Sequence, residues 1–269
     1  YEAELADVHE EADKIRSNAK KYAEKEKMNY GKGFMMSGLI ALSCSIFQTF
    51  TCAITGYGFA RFKFKGKNIL FIFVILTILL PPQMTVVSMY LNYAHFDVFG
   101  ILGALGKIFG TELRPNLLDT GFVFWLPSVF GVGIRAGLFI FIYTQFFKGL
   151  PKELEEAASI DGANAFTTFT RVIIPSSGVA FLTVAIFSMV WHWNDYNQSV
   201  LFFTNNYPIS IMLKLLKSGQ SVYTVHGFEG SSPAYEMAAC LLCMLPLLIM
   251  YIILQRKFIA SVDRVGIVG

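Results

Sequence analysis

Apolar residues dominate five stretches of this chain, about Phe34 to Phe59, Asn68 to Tyr90, Thr120 to Phe147, Ser177 to Trp193 and Ala234 to Leu254, with polar, charged or glycine-bearing segments between them. At ~1.5 Å per helical residue the first is long enough to cross a hydrocarbon core of roughly 30 Å. The pattern predicts an all-α fold, a polytopic transmembrane helical bundle of about five spans. Tyr1 to Lys32 is polar and charge-mixed, and Glu10-Glu11 before Lys14 and Glu24 before Lys27 suit a solvated helix. Residue 1 is Tyr rather than Met and no signal peptide precedes the first apolar run, so a sixth span is expected ahead of the N-terminus.

Two spans carry interruptions. Pro81-Pro82-Gln83 removes two backbone donors and should kink or break the second. Pro127 and Gly131-Val132-Gly133-Ile134-Arg135-Ala136-Gly137 interrupt the third. Arg135 precedes Lys148 by thirteen residues, which puts it roughly 20 Å from the nearer membrane boundary on a helix. There it either faces an aqueous cavity or partner, or snorkels to the opposite surface. Val200 to Pro233, with Pro208, Gly219, Gly227 and Gly230, is too broken to span and reads as a re-entrant or surface region.

Between the third and fourth spans lies a charged, small-residue island, residues 150–175. Its pattern predicts a helix-turn-helix outside the bilayer. Pro151 suits a first helical position, and Glu153, Glu155 and Glu156 place negative charge at the positive end of the helix dipole. Gly162 is suited to a left-handed cap that ends this helix, and Asn164 to capping the next. Phe166, Phe169, Val172 and Ile173 recur at helical steps and predict one apolar face.

Composition narrows the function. The chain has 269 residues, 54% hydrophobic and 15% charged, so lipid rather than a water-excluded core covers much of it. A net charge of +3, with aromatics inside apolar runs rather than among basic residues, argues against nucleic acid as a partner. Cys44, Cys52, Cys240 and Cys243 all fall in apolar stretches with no zinc-type spacing, so no metal site is expected. No Gly-x-x-x-x-Gly-Lys-(Ser/Thr) run occurs, so neither ATP binding nor a catalytic site is expected, and no cofactor is implied.

The island resembles the EAA loop of the membrane subunits of bacterial ABC importers. Glu156, Ala157, Ala158, Gly162 and Pro175 fall on that pattern, with Asp161 beside the glycine, while Val172 and Ile174 stand where the family has Ile and Leu. Carbohydrate-type permeases of the maltose type also carry runs similar to Gly56-Tyr57-Gly58-Phe59-Ala60-Arg61, Trp193-Asn194-Asp195-Tyr196 and Gln255-Arg256-Lys257-Phe258. The resemblance covers about Phe34 to the end. It implies a MetI-like permease fold in residues 34–269, a polar extracytoplasmic segment in residues 1–33, and a cytoplasmic coupling loop at 150–175. The partners it implies are a homologous second permease subunit, two ATPase subunits, an extracytoplasmic solute-binding protein and membrane lipid. Charge gives the same orientation without the family. The loops flanking spans one/two and three/four, with the tail, hold ten Lys/Arg, and the two intervening loops hold four. The seven Lys/Arg from Tyr1 to Lys32 run against that bias unless a span precedes them.

A solute pathway is expected at the outer end of the fourth span, near Trp193, Asn194, Asp195 and Tyr196, with Arg135 as a further candidate. Sugars present C–H faces that stack on rings and hydroxyls that need fixed donors and acceptors. The alternative for that run is an aromatic belt at headgroup level. Competing functions are import of a non-sugar solute, a secondary transporter or channel, whose signature of paired broken helices or a filter loop is not evident, and a receptor-like protein without solute flux.

Overall fold

A computed structural model describes residues 2–81, 84–97, 100–111, 113–217 and 233–266. Pro82, Gln83, the glycines at 219, 227 and 230, and the terminal Gly269 lie outside the described residues. Among the described residues all regular structure is helical. The polar N-terminal segment and the first apolar run form one helix, α1 (Glu2–Arg61). Beyond it come α2 (Lys67–Leu79), α3 (Val86–Ala94), α4 (Ile101–Phe109), α5 (Phe122–Val129) and α6 (Ala136–Gly149). The island contributes α7 (Glu153–Ile160), α8 (Ala165–Thr168), a π-helical turn at Phe169–Ile173 and α9 (Ile174–Ser176). Last are α10 (Gly178–Asn194), α11 (Ser199–Phe202), α12 (Ile209–Lys217) and α13 (Pro233–Gly266).

The apolar half of α1 is the hub, packed against α6 and α10, which also touch each other, with α5 and α12 along its length. Gly56 permits a close approach of α6: a Cβ there would lie 2.6 Å from the Tyr143 Cβ and 3.2 Å from the Thr144 backbone nitrogen. Around it Cys52, Tyr57, Phe139, Tyr143, Phe147, Phe169, Ile173 and Val184 form one core. A second core, built from Ile40, Cys44, Tyr93, Phe124, Phe202 and Phe203, ties α1 to the opposite end of the bundle. The outer faces stay apolar and bare: α2 has no buried residue and the apolar part of α13 none either, as expected for surfaces that meet lipid or another membrane subunit.

The five apolar stretches of the sequence do not become five uninterrupted spans. Among the described residues, only Tyr30–Arg61 and Met237–Gln255 are by themselves long and apolar enough to cross a membrane. The second stretch breaks rather than kinks: Leu80 turns extended (φ −72°, ψ 127°) ahead of Pro81, and α3 starts afresh at Val86. The third breaks into α5 and α6 at Phe130–Arg135, where Gly131 (φ 70°) and Arg135 (φ 57°) both take left-handed conformations. At its N-terminal end α10 meets the α8–α9 segment at 80°. Hydropathy registers the side chains of these stretches and is blind to where the backbone ladder stops.

Candidate functional site

The island folds as a helical hairpin. Leu150, held extended before Pro151 (φ −73°, ψ 140°), turns the chain out of α6. Pro151 does not occupy the first helical position: Lys152 is the N-cap and Glu153 the first helical residue, so the proline serves the exit from α6 instead. Glu153, Glu155 and Glu156 do lie in the first turn of α7. Gly162 is left-handed (φ 79°), and the Ala163 N–H donates back to the Ala158 carbonyl (2.9 Å), closing the reversal. The Asn164 side chain then caps α8 by accepting from the Thr167 N–H (2.8 Å).

Glu156, Ala157, Asp161, Gly162 and Pro175 are exposed on this hairpin, whereas Ala158 is buried against its second arm. The single apolar face read from the sequence divides. Phe169 and Ile173 turn into the core, but Phe166 is 73% exposed and joins Ile160 (86%) at the hairpin tip. Phe166 lies in α8, ahead of the π-helical turn that carries Phe169 and Ile173 into the core. At the hairpin's root Arg61, the last residue of α1, sets its Nε 2.7 Å from the Glu155 Oε1. That approach lacks hydrogen-bond alignment, so it acts as a charge pair. The Arg61 Nη2 also donates to the Leu150 carbonyl (2.9 Å), so one guanidinium joins the ends of α1 and α6 to the start of α7. The partners lie 94 and 89 residues apart in sequence, and sequence reading offers only their charges as a hint.

The breaks in the second and third stretches meet at a cavity of about 470 Å³, bordered by Pro81, Pro127, Gly131, Arg135, His192 and Gln198. Behind it runs a buried polar chain. Gln48 of α1 donates from Nε2 to the Ile134 carbonyl (3.0 Å) in the α5–α6 break and accepts at Oε1 from the Ser188 hydroxyl (2.7 Å). His192 Nδ1 lies 2.8 Å from the Ser188 carbonyl. A polar Gln48 in an apolar run was the available signal for this network.

The residues expected to line one pathway fall into different surroundings. Arg135 borders the cavity at the breaks. Trp193, Asn194 and Tyr196 border another, of about 490 Å³, between α10, α12 and α13, where the Lys214 Nζ sits 3.8 Å from the Tyr196 ring centroid. Trp193 is nearly buried and donates from Nε1 to the Cys243 carbonyl (3.0 Å). Asp195 borders neither: it folds back on α11, accepting from the Ser199 N–H (2.9 Å) and hydroxyl (3.0 Å). Unremarked in the sequence is Asp119, left-handed at φ 65°, whose Oδ1 accepts from the backbone N–H groups of Thr204, Asn205 and Asn206 at 3.0–3.1 Å. Burial would raise the pKa of this carboxyl, but the bonds from Asn205, Asn206 and Thr204 outweigh it and hold the value down to about 2. No group of three or more His, Cys, Asp or Glu among the described residues could hold a metal ion.

Comparison with known proteins gives these features a context. A probable ABC transporter permease of Pyrococcus horikoshii is 29% identical over 236 residues, covering 86% of this chain and 73% of the relative. The diacetylchitobiose uptake system permease NgcG of Streptomyces coelicolor is 27% identical over 242 residues, covering 88% and 69%. The fold is similar to a chain in the crystal structure of a bacterial ABC transporter involved in the import of the acidic polysaccharide alginate, with a TM-score of 0.61 and 20% identity over 86% of this chain and 79% of that one. Residues 52–264 match the family of inner membrane components of binding-protein-dependent transport systems. With a match that runs from the last turns of α1 into the end of α13, the chain belongs to that family, the membrane permease subunits of ABC importers, which work with an ATPase and a solute-binding protein.

Proposed function

We propose that this chain is the permease subunit through which a sugar or oligosaccharide crosses the membrane, and that residues 150–175 couple it to a separate ATPase. The observation that carries the coupling is the hairpin itself. Glu156, Ala157, Asp161, Gly162 and Pro175 stand exposed around a tight left-handed reversal, next to bare Ile160 and Phe166. The alanine lets a partner backbone approach, Glu156 offers a carboxylate to a cation across the contact, and the two apolar side chains supply area that a partner covers. The choice of a sugar rests on relatives such as the diacetylchitobiose permease. In this reading residues 1–33 form the polar extracytoplasmic segment and 34–269 the permease domain. A homologous permease, two ATPases and an extracytoplasmic binding protein complete the importer, and the solute passes Arg135 and the outer end of α10 by Trp193, Asn194, Asp195 and Tyr196.

The test is uptake by the reconstituted importer. Sugar should enter vesicles with ATP and not with an ion gradient alone, and the reverse would make the chain a secondary transporter. Glu156→Lys and Gly162→Val, the latter strained by ~1–3 kcal/mol at positive φ, should insert normally, lose the ATPase on purification and transport nothing. Normal ATPase retention and uptake in both would refute coupling through this hairpin.

A further inference from the structure

The cavity at the two backbone breaks holds a charge without an ionic partner among the described residues. Arg135 is exposed toward it from the first cap of α6, a helix of 14 residues, which at ~1.5 Å per residue sets it about 20 Å from that helix's inner end. Among the described residues no carboxylate and no hydrogen-bond acceptor meets its guanidinium; the Trp191 ring centroid lies 5.8 Å from its Cζ. A cation inside a membrane bundle marks an aqueous cavity, a counter-charge or a polar solute. Its left-handed backbone is the sort of conformation that persists only where the surroundings enforce it, here through the Gln48 bond to the neighbouring Ile134 carbonyl.

A second polar group stands in the same wall. His192 is 5% exposed, and its Nδ1 lies 2.8 Å from the Ser188 carbonyl, an oxygen that can only accept. Nδ1 therefore carries the hydrogen, and in the neutral ring Nε2 is left as an acceptor. That atom is buried without a hydrogen-bond partner among the described residues; the His192 ring stands edge-on to Phe124, centroids 6.3 Å apart, and both residues border the same cavity. Buried acceptors are rarely left unpaired, so it calls for a donor such as a hydroxyl.

We propose that this cavity is a subsite for an acidic sugar, whose single carboxylate pairs with Arg135 and whose neighbouring hydroxyl donates toward His192. The inference rests on the sugar-permease reading above and narrows its substrate class. One planar carboxylate matches one guanidinium in shape and charge, whereas a phosphate dianion would leave excess charge in a cavity with no second cation among the described residues of its border. About 470 Å³ accommodates a small saccharide unit, and Phe73, Phe124 and Pro127 offer apolar surface to its C–H faces.

The experiment uses the complete importer in vesicles and measures uptake of labelled digalacturonate, the neutral galactose disaccharide of the same linkage, and galactose phosphate. The wild type should prefer the uronate. In Arg135→Gln the ratio of uronate to neutral uptake should fall about tenfold or more, while Arg135→Lys, which keeps a charge but not the fork, keeps it within about threefold. An unchanged ratio in Arg135→Gln overturns the subsite, as does loss of the partner permease from that variant on purification, which would make Arg135 an intersubunit residue. Preference for the phosphate also overturns it. A wild type that imports only neutral sugars sinks the acidic subsite and leaves the sugar permease standing; one that imports no sugar with ATP removes both.

Discussion

Replacing Arg61 by Met keeps an apolar stem against the core and removes only the charge that joins α1, α6 and α7. The size of the effect follows from its surroundings. An exposed ion pair contributes ~0.2–1 kcal/mol, and breaking a fully buried one costs ~3–5 kcal/mol. With the Arg61 and Glu155 side chains 8% and 21% exposed, the pair lies between these limits, toward the lower because water still reaches Glu155. The Leu150 carbonyl loses its charged donor in the same step. Together these give about 2 kcal/mol, or roughly a 30-fold rise in local opening of the hairpin root. Hydrogen exchange on the assembled importer reads this directly: the amides of Glu155 and Glu156, which donate to the Lys152 carbonyl, and of Asp161, which donates to that of Ala157, should exchange about 30-fold faster. Peptides from the middle of α10 should not change. A double-mutant cycle with Glu155→Gln should show the two effects to be less than additive. Unaltered exchange in Arg61→Met, or full additivity with Glu155→Gln, would refute the view that this guanidinium fastens the hairpin to the bundle.

Two further predictions concern polar contacts at the other end and in the middle of the bundle. Asp119→Asn keeps a residue that tolerates the left-handed backbone but removes the charge that three N–H groups share, so protection of the 203–207 segment should fall by about 1 kcal/mol after allowance for solvent, read as faster exchange there. Because the folded carboxyl is depressed to about 2 from 3.8, its contribution is complete above about pH 3.8 and fades as pH falls through 2; wild-type exchange that loosens instead between pH 7 and 5 would contradict it. Gln48→Leu strands the Ile134 carbonyl and the Ser188 hydroxyl in an apolar interior and should lower stability in detergent by about 3 kcal/mol. Adding Ser188→Ala should restore part of that loss; a thermal midpoint equal to wild type in Gln48→Leu would rule out the network as a support of the break.

What the sequence discloses here depends on whether the information is local. The reversal at Gly162 and the cap at Asn164 are written in one or two residues each, and the folded hairpin uses both. The π-helical turn is not written that way, and the spacing alone does not tell that Phe166 stays exposed while Phe169 turns into the core. Pro151 carries a helix-start signal, yet it follows the extended Leu150 and stands two residues ahead of Glu153, where α7 begins. Arg61 with Glu155 and Gln48 with Ser188 depend on residues 94 and 140 positions apart, which periodicity cannot join. Asp195 shows the limit for candidate sites: the same carboxylate at the end of a span is able to face a solute or fold back on Ser199, and only the backbone after Asn194 decides.

The π-helical turn also bears on how this hairpin tolerates changes of length. An i→i+5 turn holds one residue more than the α-helical turn that would replace it. A single-residue deletion within 169–173 therefore has slack to draw on: the turn tightens to ordinary helix while α8 before it and Pro175 after it keep their relative direction. An insertion finds no such reserve, because the segment is already overfull and its Phe169 and Ile173 are committed to the core. Residue count between Glu156 and Pro175 is thus a poor ruler of the distance between them, and homologous loops one residue shorter are able to present the same surface.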